Sequence, residues 1–383
     1  MSRTDATVIL PGQWIGMLGS GQLGQMFTLA AKAMGYRVFV LASDEDDPAA
    51  QVADRAIGAA YDDLDAVGEV ARAVDVVTVE FENIPGPTLE TAQRFAPARP
   101  GPHALHVTQH RLREKQFLNA AGVPVAPFAE VTDAESLSRA VATIGVPAVL
   151  KTTAWGYDGK GQARVESAAT AAAAWESLGR PHAVLESFVD FACEISVVIA
   201  RGLDGRSVTY GPMLNGHADH ILDVSVFPSG VAGSVAREAI QIAETVAEQL
   251  DYIGVLCVEF FVTQEEGVLA NEIAPRPHNS GHLTIDGHMT SQFEQQVRAI
   301  CGLPLGSVAP KAPACAMANL LGDLWTPGQP HWDNALRDPL VKLYLYGKSE
   351  ARVGRKMGHL TVTGSDAGTV EAAVRRARAR LGR

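Results

Sequence analysis

The first hundred residues alternate between short apolar runs and longer stretches in which apolar residues recur at helical spacing. Apolar runs at 14–18, 37–41 and 74–81 predict buried strands, because a strand covered on both faces is apolar at nearly every position. The stretches at 22–34 and 88–95 predict helices. Strands that alternate with helices are typical of parallel sheets, so this part of the chain is predicted to form a small parallel sheet.

A second region of strands and helices follows three prolines, Pro97, Pro100 and Pro102, which interrupt the first pattern. Its predicted elements, in chain order, are a linking helix at 106–121, a strand at 148–151, a helix at 168–178, strands at 183–188 and 194–200, and a helix at 234–250. A smaller C-terminal unit carries a predicted strand at 341–346 and a basic helix at 369–381.

The segment 258–282 is the most informative part of the chain. Apolar residues flank a polar turn at 263–267, which predicts a β-hairpin with Glu259 on one strand and Glu272 on the other. If the turn has an even number of residues, opposite residues have odd index sums, and these two glutamates then face each other within roughly 5–8 Å. Two bare carboxylates so close would repel each other and raise a pKa unless a cation lies between them.

Oxygen ligands without cysteine favour magnesium or manganese, which commonly hold phosphates as well. The alternative is a pair of solvated glutamates on a sheet face. The polar run at 276–282, Arg-Pro-His-Asn-Ser-Gly-His, follows the hairpin directly and favours the metal site. We therefore predict that Glu259 and Glu272 bind a metal ion.

Composition argues against several classes of function. The 383 residues are 47% hydrophobic, which is enough for two or three domains. A net charge of −11 argues against a broad nucleic-acid surface, because affinity for the phosphate backbone comes from clustered Lys and Arg. The sequence has no apolar run of membrane-spanning length and no export signal, so we expect a cytoplasmic protein. The cysteines, Cys193, Cys257, Cys301 and Cys315, are far apart and are expected to be reduced packing residues.

A first glycine-rich segment lies at 19–24, Gly-Ser-Gly-Gln-Leu-Gly, between a predicted strand and a predicted helix. Asp44 follows at the spacing of a ribose-binding acid, as in dinucleotide-binding proteins. Alone, the pattern indicates only that backbone approaches another group closely at a helix N-terminus, where amide groups favour an anion. An NAD-dependent oxidoreductase is one interpretation, but no hydride-transfer constellation accompanies it.

A second glycine-rich segment lies at 156–162, Gly-Tyr-Asp-Gly-Lys-Gly-Gln, after the strand that ends in Lys151. Its glycines allow a mobile lid over polyphosphate, and Lys151 would add a point charge. The alternative is a hairpin turn with an exposed lysine. The two lysines Lys151 and Lys160 around Asp158 make that alternative the less favoured one.

Two further polar segments are candidates for ligand contacts. Glu186 and Glu194 bracket 188–191 between two strands, where they could bind an adenine amino group and ribose hydroxyls, although the segment alone favours surface glutamates. A basic cluster around Lys348 and Arg355 could seat a phosphomonoester through charge-assisted hydrogen bonds. A solvated cationic loop is the alternative.

The glycine loop, the two-glutamate hairpin with its Asn-Glu-Ile-Ala-Pro-Arg-Pro-His-Asn-Ser-Gly-His run, and Arg-Lys-Met-Gly-His at 355–359 occur in this order. In these motifs the chain resembles the N5-carboxyaminoimidazole ribonucleotide synthetase family of ATP-grasp ligases, from about residue 14 to residue 360. The resemblance implies an α/β (α+β) fold of ATP-grasp architecture. The implied domains are a Rossmann-like N-terminal domain at 1–105, an ATP-grasp domain at 106–305 with a glycine lid subdomain at about 124–187, and a small C-terminal domain at 306–383.

The same resemblance implies an activity. The chain would use ATP, Mg²⁺ or Mn²⁺, and bicarbonate to convert 5-aminoimidazole ribonucleotide into N5-carboxyaminoimidazole ribonucleotide in purine biosynthesis, through carboxyphosphate. It would act as a homodimer, with small-molecule substrates rather than nucleic acid or a membrane as partners. Arg276, His278 and Asn279 would hold bicarbonate and carboxyphosphate. As a mechanistic hypothesis of our own, we expect Asp158 to orient the acceptor amine or accept its proton.

The remaining site residues are also carried over by matching motif. The implied ATP site contains Arg111, Lys151, Gly156, Tyr157, Asp158, Gly159, Lys160, Gly161, Gln162, Glu186, Val189, Glu194, His217, Asn271 and Glu272. The implied ribonucleotide site contains Gln22, Glu80, Tyr157, Asp158, Lys348 and Arg355. The implied metal ligands are Glu259 and Glu272.

Three alternatives stay open on the sequence alone. Another ATP-grasp ligase, such as a formate-using ribonucleotide transformylase or a biotin carboxylase-like enzyme, would share the ATP and metal geometry. An NAD-dependent oxidoreductase would use the first glycine segment. A nucleotide-binding regulatory protein would have lost catalysis, although Lys151, Glu259, Glu272 and Arg276 are all present and argue against that loss.

Overall fold

A computed structural model describes residues 7–44, 46–154, 161–326 and 328–382 of the chain. Its N-terminal part is a four-stranded sheet in the order β3-β2-β1-β4, with every neighbouring pair parallel. The elements are β1 (Trp14–Leu18), α1 (Gln22–Ala33), β2 (Arg37–Ala42), β3 (Arg55–Gly58), α2 (Leu64–Ala73), β4 (Val76–Val79) and α3 (Gly86–Gln93). The predicted parallel sheet is therefore confirmed.

The N-terminal sheet is covered on both faces, which explains its uninterrupted apolar strands. Ile15, Val38 and Val76 pack with one group of buried residues, whereas Leu18 and Val77 pack with another. A strand buried on both sides cannot alternate polar and apolar residues without burying unpaired polar groups.

The linking segment forms two helices, α4 (Pro102–Thr108) and α5 (Arg111–Ala120), so the prediction of one helix at 106–121 was wrong. His110 adopts an extended backbone conformation, and its ring accepts a hydrogen bond from the backbone N–H of Arg113. This side chain therefore caps α5 and starts a new helix. As a result, α5 begins at Arg111, one of the predicted ligand-binding residues.

A small antiparallel sheet in the order β5-β8-β6-β7 follows. Its elements are β5 (Phe128–Val131), α6 (Ala134–Ile144), β6 (Ala148–Thr152), β7 (Gln162–Val165), α7 (Ala171–Ser177) and β8 (Ala183–Ser187). Helix α6 begins at a capping box, in which the Asp133 carboxylate accepts the N–H of Ser136. The predicted strands at 148–151 and 183–188 are confirmed.

The largest layer is an eight-stranded sheet in the order β13-β12-β9-β10-β11-β14-β16-β15. The remaining elements are β9 (Phe191–Arg201), β10 (Ser207–Ala218), β11 (Ile221–Phe227), α8 (Gly233–Gln249), β12 (Gly254–Thr263), β13 (Val268–Ala274), α9 (Thr284–Gly287), α10 (Gln292–Ile300), β14 (Ala314–Leu321), α11 (Trp332–Ala335), β15 (Val341–Leu345), β16 (Lys356–Gly364) and α12 (Ala367–Ala379). Apolar residues of α8 pack against β9 and β12, and those of α12 pack against β14 and β16. The sheet runs across the proposed boundary between residues 305 and 306.

Within the described ranges, no helix is long and apolar enough to cross a membrane.

Candidate active site

A cavity of about 1250 Å³ lies where the N-terminal sheet, the small antiparallel sheet and the eight-stranded sheet meet. It is lined by these predicted site residues: Gln22, Glu80, Arg111, Lys151, Gln162, Glu186, Val189, Glu194, His217, Glu259, Asn271, Glu272, Arg276, His278, Asn279, Lys348 and Arg355. Gly161 does not line the cavity. Its positive φ of 72° and the nearby Thr152 side chain leave little room for any other residue at this position. Gly156, Tyr157, Asp158, Gly159 and Lys160 lie outside the described residues.

The hairpin of β12 and β13 places Glu259 directly opposite Glu272, as predicted. The even-numbered turn assumed in that prediction was wrong, because Val262 pairs with Val268. A β-bulge between Glu259 and Phe260 corrects the register and leaves Asn271 as the extra residue. The bulge thereby brings Asn271 and Glu272, which are adjacent in the chain, to the same cavity.

The two facing carboxylates differ in their surroundings. Burial and the charge of Glu259 raise the pKa of Glu272, whose Oε2 lies 3.7 Å from an Arg111 guanidinium nitrogen. Burial also opposes ionisation of Glu259, but His278, whose Nε2 lies 2.8 Å from the Glu259 carboxylate, outweighs it and lowers the pKa of Glu259. The pair therefore needs more positive charge before both carboxylates are stably ionised.

This donor set fits a hard divalent cation. Two carboxylates face each other on the hairpin, and both line the cavity together with Asn271. Across the described parts of the chain, no cluster of three or more His, Cys, Asp and Glu side chains forms a metal cage made by protein alone. A site with two carboxylates is typical of Mg²⁺ that shares its coordination with water and substrate phosphates.

A buried ion cluster forms the wall beside the hairpin. Glu186 Oε2 lies 3.1 Å from Lys151 Nζ and 3.3 Å from Lys115 Nζ. Although burial opposes ionisation of Glu186, the two lysines lower its pKa to about 2. Its other oxygen, Oε1, is buried without a hydrogen-bond partner in the described structure. The expectation from the isolated segment, a surface glutamate, was wrong, because Glu186 is only 3% exposed.

Sequence reasoning missed Lys115, although a signal was present. Lys115 lies four residues after Arg111 on α5, so both side chains extend from one face of that helix. Lys115 also donates to the backbone carbonyl of Asn271 at 3.0 Å. On the same helix, Glu114 accepts the N–H of Ile273 at 2.7 Å, and burial together with Glu272 raises the pKa of Glu114 to about 8. Helix α5 thus braces the bulged strand.

A polar pair and two aromatic rings form another part of the cavity wall. His217 Nδ1 lies 2.8 Å from Glu194 Oε2, and the register shift between Gly216 and His217 marks a bulge in β11, where Asp223 is the extra residue. Burial lowers the pKa of His217, but the hydrogen bond to Glu194 outweighs burial and raises it. Phe191 and Phe261 stack with ring centres 4.8 Å apart. This wall offers hydrogen-bonding groups beside a flat apolar surface.

The first glycine segment holds a carboxylate of the protein itself. The backbone N–H groups of Gly21 and Leu23, at the start of α1, donate to the Glu80 carboxylate. A Cβ atom at Gly19 or Gly21 would lie 2.5 Å from an atom of the Glu80 side chain. The close approach predicted from the glycines is confirmed. Because Glu80 fills the anion position that a dinucleotide pyrophosphate would need, the structure argues against the NAD interpretation.

Arg276 is held by Glu82, a second residue that sequence reasoning missed. The guanidinium donates two hydrogen bonds to Glu82, from Nε at 2.6 Å and from NH2 at 3.1 Å. Although burial opposes ionisation of Glu82, Arg276 outweighs it and lowers the pKa of that carboxyl. The available signal was the Glu80-Phe81-Glu82 sequence, in which two acids two residues apart follow the end of β4.

His278 and Asn279 both have polar neighbours. Burial lowers the pKa of His278, but Cys257 and Glu259 outweigh burial and raise it to about 10. The side-chain amides of Asn279 and Asn319 donate to each other, at 3.1 and 2.7 Å. Both predicted residues line the cavity next to the hairpin carboxylates.

The basic cluster lies at the end of the cavity near the N-terminal sheet. Lys348 Nζ donates to the carbonyl of Lys356 at 2.7 Å, and Arg355 donates to the carbonyl of Glu350 at 2.8 Å. Gln51 of the N-terminal part donates to the carbonyl of Gly347 at 3.1 Å. Lys348, Arg355 and Lys356 all line the cavity, so the C-terminal part supplies a cationic edge.

Family models match three successive parts of the chain. A ribonucleotide synthetase preATP-grasp domain matches residues 13–109, an ATP-grasp domain matches residues 116–293, and a phosphoribosylaminoimidazole carboxylase C-terminal domain matches residues 315–373. The predicted ATP-grasp fold is thereby confirmed.

Relatives and solved structures cover almost the whole chain. The N5-carboxyaminoimidazole ribonucleotide synthase of Brucella melitensis is 44% identical over 359 residues, covering 93% of this chain and 98% of that protein. An ADP complex of N5-carboxyaminoimidazole ribonucleotide synthetase is 40% identical with a TM-score of 0.91, covering 97% of both chains. The Aspergillus clavatus N5-carboxyaminoimidazole synthase, in complex with ADP and 5-aminoimidazole ribonucleotide, is 28% identical with a TM-score of 0.87, covering 96% of this chain and 98% of that chain. The chain is therefore an ATP-grasp ligase and belongs to the N5-carboxyaminoimidazole ribonucleotide synthase family.

Proposed function

We propose that this chain carboxylates the amine of 5-aminoimidazole ribonucleotide with ATP and bicarbonate, giving N5-carboxyaminoimidazole ribonucleotide, ADP and phosphate in purine biosynthesis. The observation that carries the proposal is one cavity that joins the facing pair Glu259 and Glu272 to the cationic edge at Lys348 and Arg355. One end of this cavity suits a nucleoside triphosphate together with a metal ion. The other end suits the phosphate of a ribonucleotide.

ATP occupies the end of the cavity formed by the small antiparallel sheet and β9 to β13. The unpartnered Oε1 of Glu186 accepts a hydrogen bond from the adenine amino group, and Glu194 accepts from ribose hydroxyls. Arg111 and Lys151 contact the phosphates. The segment 156–162 closes over them, as the resemblance to the family implies.

Glu259 and Glu272 hold Mg²⁺ or Mn²⁺ in this proposal, with Asn271 beside them. The bound ion would neutralise charge on the transferred phosphoryl group and align it with the attacking oxygen. In this proposal the Nε2 hydrogen of His278 exchanges Glu259 for bicarbonate as its acceptor while the ring stays in place, and Arg111 turns from Glu272 toward phosphate. Each carboxylate thus exchanges a side-chain partner for a ligand.

Bicarbonate is a poor electrophile, so it needs a leaving group before an amine can attack it. One bicarbonate oxygen attacks the γ-phosphorus, the bond to the ADP oxygen breaks, and carboxyphosphate forms. Arg276, held rigidly by Glu82, stabilises the charge that develops, while His278 and Asn279 bind the carboxyl oxygens. Closure over the site excludes water, which would hydrolyse the intermediate.

The ribonucleotide lies at the opposite end, with its phosphate on Lys348 and Arg355 and with Gln22, Glu80 and Tyr157 around the rest of the molecule. Its exocyclic amine attacks the carboxyl carbon of the intermediate or the carbon dioxide released from it. The bond from that carbon to the phosphate oxygen breaks, phosphate leaves, and the amine loses one proton. Asp158 orients this amine or accepts the proton.

The test is ADP formation by the purified chain with Mg²⁺ and bicarbonate, in the presence and absence of 5-aminoimidazole ribonucleotide. Formate and glycinamide ribonucleotide replace bicarbonate and the acceptor in parallel reactions. Stimulation by the aminoimidazole ribonucleotide alone supports the proposal. Stimulation only in the formate or glycinamide reactions would assign the chain to another ATP-grasp reaction and overturn it.

We also propose that the chain is a homodimer, by its membership of a family in which dimers are common. Light scattering after size-exclusion chromatography measures the mass directly. A mass near twice the 40.6 kDa of one chain supports the dimer, and a mass near 40.6 kDa contradicts it.

A further inference from the structure

A row of buried polar side chains crosses the interior of the eight-stranded sheet, and the mechanism above uses none of them. Ser225 on β11, Asn215 on β10 and Ser196 on β9 lie side by side, and Ser280 lies in the turn that follows β13. Ser196, Ser225 and Ser280 are fully buried, and Asn215 is 7% exposed. Their neighbours on the same strands, such as Ile195, are apolar core residues.

These side chains form one continuous chain of hydrogen bonds. Ser225 Oγ donates to Asn215 Oδ1 at 2.8 Å, and Asn215 Nδ2 donates to Ser196 Oγ at 2.9 Å. Ser196 Oγ donates to Ser280 Oγ at 2.8 Å. Ser280 Oγ then lies 2.9 Å from Nδ1 of His278. We call these four residues, Ser225, Asn215, Ser196 and Ser280, the polar row.

The polar row ends on a residue that faces the cavity. The ring nitrogen of His278 on the side away from Ser280, Nε2, lies 2.8 Å from Glu259. The backbone N–H of Ser280 also reaches Nδ1, at 3.3 Å. The imidazole is therefore fixed at both nitrogens, by the polar row at one and by a hairpin carboxylate at the other.

A serine hydroxyl suits this position because it can either donate or accept. When Nδ1 carries no proton, the Ser280 hydroxyl donates to it. When Nδ1 carries a proton, this N–H donates a hydrogen bond to the Ser280 oxygen, and the hydroxyl hydrogen points elsewhere, with Cys257 Sγ at 4.0 Å. The contact thus persists in either protonation state of His278, so its role is to orient the ring.

A buried polar group costs stability unless it is hydrogen-bonded. Apolar residues of similar size would fill a sheet interior without this requirement. We propose that the polar row is a positioning device for His278, with Ser280 as the residue that holds the imidazole so that Nε2 faces Glu259 and the cavity. The inference rests on the proposed function for the role of His278. Without the Ser280 hydroxyl, the ring can rotate and present carbon atoms where nitrogen is needed.

The test compares Ser280→Ala, Ser196→Ala and Ser225→Ala with a matched control, Thr361→Val. Thr361 is also a fully buried hydroxyl residue of the same sheet, on β16, and its Oγ1 has no hydrogen-bond partner in the described structure. Ser280→Ala should lower kcat at least about tenfold without changing the KM for ATP, because misplacing a reacting group slows the reaction more than it weakens binding. Ser196→Ala and Ser225→Ala should have progressively smaller effects, and Thr361→Val should match the wild type.

The second readout is independent of activity. Nitrogen-15 spectra of the histidine side chains, taken without nucleotide or metal, report hydrogen bonding at each ring nitrogen. The His278 signals are those missing from a His278→Asn variant. We expect the Nδ1 signal to shift in Ser280→Ala, to shift less in Ser196→Ala, and to stay unchanged in Thr361→Val.

Unchanged His278 signals together with kcat within about twofold of wild type in Ser280→Ala would overturn the inference. Loss of stability in all four variants, with no shift of His278, would also overturn it, because the row would then only satisfy its own members. If the wild-type chain shows no carboxylation of the ribonucleotide, the proposed function fails, and the spectra still decide whether the row orients His278.

Discussion

The N-terminal sheet and the eight-stranded sheet both bring carboxylates to the cavity, but they hold them differently. The backbone N–H groups of Gly21 and Leu23 bind the Glu80 carboxylate, and the missing side chains of Gly19 and Gly21 leave room for it, so the main chain sets the position of Glu80. Glu259 and Glu272 face each other, and their partners are the side chains of His278 and Arg111. A carboxylate bound by backbone is part of the wall, whereas a facing pair whose partners are side chains can exchange those partners for a cation.

The largest expected effect follows from Glu272→Gln. The substitution removes one charge of the metal pair and one source of repulsion, so ATP turnover should be abolished while stability is unchanged or slightly higher. Glu265→Gln, an exposed residue in the turn of the same hairpin, is the matched control and should keep wild-type turnover. Turnover of Glu272→Gln above about a tenth of wild type would contradict the metal assignment.

Glu80→Ala tests the other half of the comparison. It leaves the N–H groups of Gly21 and Leu23 without their acceptor and leaves an empty space beside Gly19 and Gly21. We therefore expect a loss of about 2–3 kcal/mol in the free energy of unfolding. Urea denaturation of Glu80→Ala and Glu272→Gln measures the difference. Equal stabilities of the two variants would contradict the distinction between a carboxylate in the wall and an exchangeable one.

The buried ion cluster predicts a pH effect on stability. Glu186 has a pKa lowered to about 2 in the folded chain, against an ordinary value of 4.5. Its contribution is therefore fully present above pH 4.5 and is lost as the pH falls toward 2, with about 2 kcal/mol lost by pH 3. Denaturant unfolding at pH 6 and pH 3 should show a smaller pH-dependent loss for Glu186→Gln than for wild type. Parallel losses would show that Glu186 is not the titrating group.

The smallest expected effect concerns the cationic edge. Lys348→Ala should raise the KM for the ribonucleotide about tenfold, because one charge-assisted contact to its phosphate is lost, and should leave the KM for ATP unchanged. Steady-state kinetics with each substrate varied in turn provide the measurement. An unchanged KM for the ribonucleotide would remove Lys348 from the phosphate site.

Local patterns were enough to predict the parts of the fold whose hydrogen bonds or cores form between neighbours in sequence. The N-terminal elements β1, α1, β2, β4 and α3 and the hairpin of β12 and β13 were predicted because each buries a regular apolar pattern. Strand β10 was missed because Gly211, Pro212 and Gly216 break its pattern. Strand β14 was missed because alanines replace the β-branched residues that indicate strands. Their pairing partners, rather than their own sequences, make them strands.

Local sequence patterns also predicted only part of the candidate active site. The facing of Glu259 and Glu272 was predicted, but the bulge at Asn271 that produces it depends on how β13 meets its neighbours. Glu82 and Lys115 were missed because their partners, Arg276 and Glu186, are distant in sequence. The spacing of Lys115 from Arg111 and of Glu82 from Glu80 could have marked these two residues as candidates. Contacts between distant segments leave no periodic signal, so the sequence alone could not indicate their partners.

The measurement that tests the central claim most directly follows oxygen from bicarbonate. Bicarbonate labelled with oxygen-18 is incubated with the chain, ATP, Mg²⁺ and 5-aminoimidazole ribonucleotide, and the phosphate released is examined by mass spectrometry before the label exchanges with water. If bicarbonate attacks the γ-phosphorus, one labelled oxygen is found in each phosphate formed. Unlabelled phosphate, released together with the carboxylated ribonucleotide, would contradict the account.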